Sequence, residues 1–279
     1  MRISLSTGAL YGLPLEAVCR LAAEAGFESL ELVVAPEVVV RGPGRVRALV
    51  ADHGLEIAAV HPPLVWIPGW RERRGGLCRA VGLARALGAP RVVAHPPRRC
   101  ADPGDAQARR FRRRIEEARH AAGADVRIAL ENLGRKRRAD DRNPFTDLAV
   151  LVRFAREYDL GLTLDTSHAA SFGHDLLDAA AQFGPRLENV HLSDYRPGSA
   201  LVDNGLLRNH FVHHQVPGTG VLPLAALLAR LLADRYAGNI SVEVGPVPMR
   251  AWWLPRLRRE LKGMAAFVRG AGGQVRSGS

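Results

Sequence analysis

Short β-branched runs alternate with longer stretches of helical periodicity along almost the whole chain, and this alternation limits the folds open to it. The strand-like runs are Ile3–Ser6, Ser29–Val33, Glu56–His61, Arg91–His95, Arg127–Glu131, Gly161–Asp165, Asn189–Leu192 and Asn239–Val244. Between them, apolar residues recur at i, i+3, i+4 and i+7. That spacing predicts helices over Leu15–Ala25, Arg45–His53, Gly76–Leu87, Asp105–Ala122, Pro144–Tyr158, Ala170–Phe183, Leu222–Ala233 and Leu254–Arg269. Gly26, Gly54 and Gly88 end the first three as left-handed stops. Eight strands, each followed by a helix, is the count of a (β/α)8 TIM barrel. An open doubly wound sheet would also alternate, but nothing resembles its Gly-x-Gly-x-x-Gly turn after the first strand.

The length, 279 residues, suits one such barrel, and no Ser/Gly-rich linker divides the chain. A single domain over residues 1–270 is expected, with residues 271–279 as a fraying Gly/Ser-rich tail. The chain is 47% hydrophobic and 24% charged, an ordinary globular balance. The N-terminus alternates like a strand and lacks the apolar core of a signal peptide. The longest apolar run, Leu222 to Ala233, is interrupted by Arg230 and falls short of the roughly 20 residues a bilayer needs. A cytoplasmic protein with no membrane partner is therefore expected. Three cysteines, Cys19, Cys78 and Cys100, make no disulfide framework.

The formal charge is +11, and of 39 basic residues only Lys136 and Lys262 are lysines. With the many Ala, Gly and Pro residues, that bias fits a GC-rich genome. Basic charge favours anionic partners, although a solvated positive surface accounts for it equally well.

The chemistry lies at the strand ends. Strands three to eight end on His61, His95, Glu131, Asp165 (with His168 three residues later), His191 and Glu243. The long excursion after strand seven adds His213 and His214. With 28 acidic residues and 10 histidines in 279, six consecutive endings of this kind have a chance on the order of 10⁻³ to 10⁻⁵, depending on the freedom allowed in register. In a parallel barrel these ends converge on one mouth, where catalytic residues gather. Buried carboxylates would repel there, and a divalent cation relieves both the repulsion and the lost hydration. Imidazoles and carboxylates without thiolate suit Zn²⁺, Mn²⁺, Fe²⁺ or Co²⁺ better than Ca²⁺. Taken alone, each histidine would read as a hydrogen-bonded structural residue, and Glu131 as a cap or an ion-pair partner of a nearby arginine. Asp194 and Arg196, just past strand seven, fit a substrate contact or a loop ion pair.

Asp165-Thr-Ser-His168, His191-Leu-Ser-Asp194 and His214-Gln-Val-Pro-Gly218-Thr-Gly220 resemble the xylose-isomerase-like TIM barrel superfamily. That superfamily holds sugar isomerases and epimerases beside the endonuclease IV family (AP endonuclease family 2). The resemblance runs from Ile3 to about Phe267. It implies a metal held by Glu131, Asp165, His191 and Glu243, zinc or manganese foremost. Glu131 and Glu243 would act as acid and base on the two faces of a sugar or sugar phosphate, through an enediolate. His168 and Arg196 would touch substrate oxygens, and Trp66, in the loop after strand three, would line the pocket. The substrate expected is small and anionic or polyhydroxylated.

The nuclease pattern implies three zinc ions, with His61, His95, His168 and His214 as additional ligands, and nucleic acid as the partner. Its motif Asp-x-His-x-x-x-Gly-x-Gly has Val212 at the Asp place, which leaves the third ion short of a ligand unless His210 or His213 substitutes. One to three ions are thus open. The basic segments Arg98-Arg99 and Arg135-Lys136-Arg137-Arg138 suit a DNA backbone or a sugar phosphate. Trp66 and Trp70 stand where they would wedge a duplex or cap the barrel mouth. Val212 favours the isomerase or epimerase reading, with the abasic-site nuclease as the alternative.

Overall fold

The computed structural model describes residues 1–70, 75–102, 104–198 and 204–276. Eight parallel strands close into a barrel in chain order: β1 (Arg2–Ser6), β2 (Ser29–Val33), β3 (Glu56–His61), β4 (Arg91–Ala94), β5 (Arg127–Glu131), β6 (Gly161–Asp165), β7 (Leu187–Leu192) and β8 (Asn239–Val242). The seam is sealed by β1 and β8, with Ile3 opposite Ile240 and Leu5 opposite Val242. The (β/α)8 architecture expected from the alternation is the one observed.

The helices run α1 (Leu15–Ala25), α2 (Pro36–Asp52), α3 (Gly76–Leu87), α4 (Ala106–Ala122), α5 (Leu148–Glu157), α6 (Thr166–Ser171), α7 (Leu176–Phe183), α8 (Gly205–Phe211), α9 (Leu224–Ala233), α10 (Pro246–Met249) and α11 (Leu254–Arg276). Periodicity located α1 and α3 to the residue and missed where local chemistry intervenes. The second helix begins nine residues early, at Pro36, and is broken inside by Gly42 at φ 75 followed by Pro43. The sixth expected helix is two, because Gly173 takes φ 77 and Asp175 caps α7 by accepting the Leu177 and Asp178 amides. Helix α8, inside the seventh excursion, was not expected. The last helix runs past Arg269 to Arg276, so the expected tail begins within it, and residues 277–279 lie outside the described residues.

Each strand sorts its residues by the two-residue period of the pleat. One set is large and apolar and joins the core between barrel and helices: Ile3 and Leu5, Leu30 and Leu32, Ile128 and Leu130, Leu162 and Leu164, Val190 and Leu192, Ile240 and Val242. Each such leucine, fully buried, contributes roughly 2 kcal/mol of transfer free energy. The other set is small or polar and fills the barrel itself. There Asn239 donates to Ser4 Oγ at 2.8 Å and to Asn189 Oδ1 at 2.9 Å, and Asn189 donates to Glu31 at 3.0 Å. The interior is a polar column, and its upper end is where the strand-end ligands sit.

The seventh excursion is folded by a single carboxylate. Asp194, with no solvent exposure, accepts the amides of Tyr195 (2.8 Å) and Leu222 (3.0 Å) on Oδ1, and of Gly218 (3.0 Å) and Gly220 (2.9 Å) on Oδ2. A Cβ on Gly220 would fall 2.3 Å from Asp194 Oδ1, which explains glycine there. The backbone of Asp194 also pairs antiparallel with Gln215, drawing His213 and His214 back over the mouth. Asp194 is therefore not the ion-pair partner of Arg196, whose Nε donates instead to the Thr219 carbonyl at 3.0 Å. Asp194→Asn would turn an amide NH2 toward two backbone N–H groups. It should lower unfolding free energy by about 2 kcal/mol or more, read from the urea midpoint; an unchanged midpoint would contradict the role.

Candidate metal centre

Asp165 shows how local sequence builds the centre. It ends β6 and is the N-cap of α6, its Oδ1 accepting the His168 amide at 2.7 Å and the Ser167 hydroxyl at 3.0 Å. Capping uses only Oδ1, so Oδ2 is left buried with no hydrogen-bond partner. Asn132, one residue past β5, pins this corner by accepting the Asp165 amide (2.8 Å) and donating to its carbonyl (3.1 Å). His168 then lies against Gly134, where a Cβ would come 2.1 Å from its ring. Only glycine leaves room for that imidazole.

His191, at the top of β7, is the hub. Its Nδ1 lies 2.8 Å from Glu243 Oε2, 3.4 Å from Glu131 Oε2 and 3.9 Å from Asp165 Oδ2. Its Nε2 faces away and donates to the Glu31 carboxylate at 3.0 Å. Two pairs of histidines flank this set. On one side His61 and His95 stack edge-on at 5.0 Å, and His95 Nε2 lies 2.9 Å from Glu131 Oε2. On the other, His168 and His214 stack edge-on at 5.1 Å, and His214 Nδ1 lies 3.8 Å from Asp165 Oδ2. His214 takes the left-handed backbone, φ 49, held by the Gly245 amide donating to its carbonyl at 2.7 Å.

These atoms fit a divalent cation. Asp165 Oδ2 is buried with no hydrogen-bond partner, and Glu131 Oε2 and His191 Nδ1, buried 3.4 Å apart, meet only other members of the same cluster among the described residues, His95 Nε2 at 2.9 Å and Glu243 Oε2 at 2.8 Å; Asp165 Oδ2 lies 3.9 Å from His191 Nδ1. An unpaired buried polar atom costs about 1–3 kcal/mol and buried carboxylates this close repel, so the crowding requires an explanation. Ligand atoms about 2.1 Å from a common cation lie roughly 3.0 to 3.4 Å apart, close to the spacing found here. The His191 orientation agrees: Nε2 donates its proton to Glu31, so Nδ1 is the edge that would bind an ion once its own proton is displaced, the carboxylate–histidine–metal arrangement. Glu131, Asp165 and His191 form one candidate ligand group, and Glu31, His191 and Glu243, His61, His95 and Glu131, and Asp165, His168 and His214 form three more.

The same crowding sets the titration of the site. Burial would raise Glu131, but His95 and His191 outweigh it and hold its carboxyl well below the carboxylate range. Burial pushes Asp165 up to about 6, against the pull of His168. Burial alone would lower His191, yet Glu31, Glu243 and Glu131 hold it well above the usual imidazole range. His61, His213 and His214 are lowered by burial, His213 to about 2, so they present neutral lone pairs.

All eight residues expected as ligands from the strand ends and the seventh excursion are brought together in these four groups. Two of the expected substrate contacts do not join them. Trp66 is 65% exposed, and Arg196 is turned to Thr219. Among the described residues no hydrogen bond or ion pair links either to the cluster. Val212 packs its Cγ2 against Gly198 and belongs to no ligand group. Glu31 was missed because it sits in the middle of β2 rather than at its end. The Ser29-Leu30-Glu31-Leu32 alternation, which turns Glu31 inward with the polar column, carried the signal.

A family model described as Xylose isomerase-like TIM barrel matches residues 19–264. An uncharacterized protein of Mycobacterium tuberculosis is 30% identical over 276 residues, covering 90% of this chain and 91% of that one. The 3-dehydroshikimate dehydratase of Pseudomonas aeruginosa is 30% identical over 260 residues, which is 88% of this chain and 38% of that protein. Among solved structures, the D-psicose 3-epimerase of Clostridium cellulolyticum H10 superposes with a TM-score of 0.70 at 18% identity, covering 97% of this chain and 99% of that one. At that identity the likeness shows the fold.

Two measurements check the centre. Glu31→Gln should weaken divalent-ion affinity by about 10- to 100-fold in chelator competition; unchanged affinity would contradict the His191 orientation. Asp165 has its native pKa raised from 3.8 to about 6, so its stabilising share is complete below the unfolded value and lost as pH rises through the native one. Between those pH values the chelator-treated protein should lose this share of stability while its affinity for Zn²⁺ or Mn²⁺ tightens. Affinity independent of pH across that window would contradict a protonated Asp165.

Proposed function

The chain belongs to the xylose isomerase-like TIM barrel family, and from that premise we propose that it is a divalent-metal-dependent isomerase or epimerase of a small polyhydroxylated carbonyl compound. The observation that carries this reading is the convergence of Glu131 Oε2, Asp165 Oδ2 and His191 Nδ1, all buried beside Glu243, with Asp165 Oδ2 left without a hydrogen-bond partner. Glu131, Asp165, His191 and Glu243 would hold the ion. A divalent ion held there would supply Lewis-acid polarisation of a substrate carbonyl and its neighbouring hydroxyl.

The protein's own part is proton transfer at the hydroxyl-bearing carbon next to that carbonyl. Glu243 suits the base: its side chain keeps 17% exposure toward the mouth, whereas Glu131 is at 2% between His95 and His168. Burial would raise the Glu243 carboxyl, but His191 and His214 override it and keep it ionised and ready to accept a proton. Glu131, on the opposite wall, would return a proton to the other face. His168 Nδ1 sits 3.0 Å from Glu131 Oε1 and 3.1 Å from the Asn132 carbonyl, so it orients Glu131 and leaves its Nε2 edge for a substrate oxygen.

A related outcome of the same proton abstraction is loss of a neighbouring hydroxyl, and the dehydratase relative supports that variant. The phosphodiesterase reading draws support from His61 and His95, which complete a ligand group with Glu131. Val212 weighs against it.

Glu243→Gln should reduce solvent-proton exchange next to the carbonyl of an accepted ketose by about 10²- to 10⁴-fold, followed by NMR in D2O across a ketose panel that includes D-psicose, at matched metal content. Unchanged exchange would remove the residue's role. Efficient incision of a synthetic abasic-site duplex by the metal-loaded protein would overturn the isomerase reading in favour of the nuclease.

A further inference from the structure

Beside the metal centre lies a cavity lined by Arg98, Arg99, Lys136, Arg137, Asp140 and Asn209. Four cations meet one carboxylate there, and that carboxylate is already committed: Asp140 Oδ2 accepts the backbone amides of Lys136 (2.8 Å) and Arg137 (2.9 Å). Among the described residues none of the four cations has a carboxylate within ion-pair distance.

Their placement is fixed. Asn143, itself buried, donates to the carbonyls of Pro97 (2.8 Å) and Arg98 (3.1 Å), clamping the turn that carries Arg98. The Arg98 guanidinium donates to the Gly134 carbonyl at 3.1 Å, and Gly134 is the residue against which His168 lies. The stem of Lys136 packs on Gly205, where a Cβ would come 3.0 Å from Lys136 Cβ. A pair of half-buried cations thus stands three residues past His95 and five past Glu131.

We propose that this cavity is an oxyanion subsite, and that the substrate of the neighbouring metal centre carries a carboxylate or phosphate group bound by Arg98 and Lys136. The inference rests on the reading of the centre as a site for a small carbonyl compound, and adds that the compound is an acid. Two half-buried cations lining one cavity repel and are partly stripped of water, and an anionic group relieves both terms at once. Burial and Arg98 both pull Lys136 below the usual ammonium range, in keeping with a cation that lacks its partner. Arg98 offers a planar fork for two oxygens, and Lys136 a point charge.

The metal-loaded full-length protein is titrated by calorimetry with inorganic phosphate, with acetate and with the neutral polyol xylitol. Phosphate or acetate should bind, more weakly as salt rises. Lys136→Met, whose ammonium makes no hydrogen bond among the described residues, should weaken that binding by about tenfold or more, with metal content and melting temperature unchanged. Arg98→Gln should do the same, and Arg98→Lys should retain part of the affinity. Stronger binding of phosphate than acetate assigns a phosphorylated substrate, and the reverse a carboxylated one. Oxyanion binding equal in the Lys136→Met and wild-type proteins, or absent in the wild type, would overturn the subsite. Failure of the subsite with proton exchange intact on a neutral ketose sinks this inference alone. Oxyanion binding without exchange on any ketose sinks the proposed reaction alone.

Discussion

Four carboxylates, Glu31, Glu131, Asp165 and Glu243, are gathered around the imidazole of His191, and the mouth of the barrel is arranged around the balance of that charge. Buried anions of one sign repel and lose their hydration, so such a set persists only with cationic or ionic partners inside it. His191 answers on both edges, with Nε2 toward Glu31 and Nδ1 toward the other three. The flanking histidine pairs and the capped Asp165 extend the same solution outward. Glu131 Oε2, Asp165 Oδ2 and His191 Nδ1 are thereby brought together as one group.

The scaffold makes this possible by separating two jobs along each strand. Large apolar side chains hold the barrel to its helices, so the inward positions are free to carry Ser, Asn and Glu. The column from Ser4 through Asn239 and Asn189 to Glu31 hands hydrogen bonds upward to His191. The loops then close the site with few contacts of high consequence: Asp194 folds the seventh excursion, Asn132 ties β5 to β6, and Asn143 sets the turn bearing Arg98. The result is asymmetric. A nest of carboxylates lies on one side and a cavity lined by Arg98, Arg99, Lys136 and Arg137 on the other, the asymmetry from which an acidic substrate is proposed.

The barrel and the gathering of acidic and imidazole side chains at its mouth were legible in sequence because both follow strict periods. The strand ends His61, His95, Glu131, Asp165, His191 and Glu243 recur at one place in each repeat, so the pattern survives wide separation along the chain. What was not legible depends on contacts without a period. Glu31 hides in mid-strand, and its partner His191 is 160 residues away. The capping role of Asp194 needs Gly218 and Gly220 to arrive from across the excursion, and from sequence the residue read equally well as an ion-pair partner of Arg196. The two-helix form of 166–183 turns on Gly173 and Asp175, which a helical period passes over. Trp66 and Arg196 lie in loops, where the strand register says nothing about direction.

The central claim is that His191 presents Nδ1 to a divalent ion shared with Glu131, Asp165 and Glu243 while Nε2 stays on Glu31. A crystal of the manganese-loaded protein, with diffraction recorded at the manganese absorption edge, tests it directly. The predicted result is an anomalous peak about 2.1 to 2.3 Å from His191 Nδ1 and from a carboxylate oxygen of each of those three residues, with the Glu31 contact kept. A peak elsewhere in the barrel, or His191 turned to bind through Nε2, would contradict it.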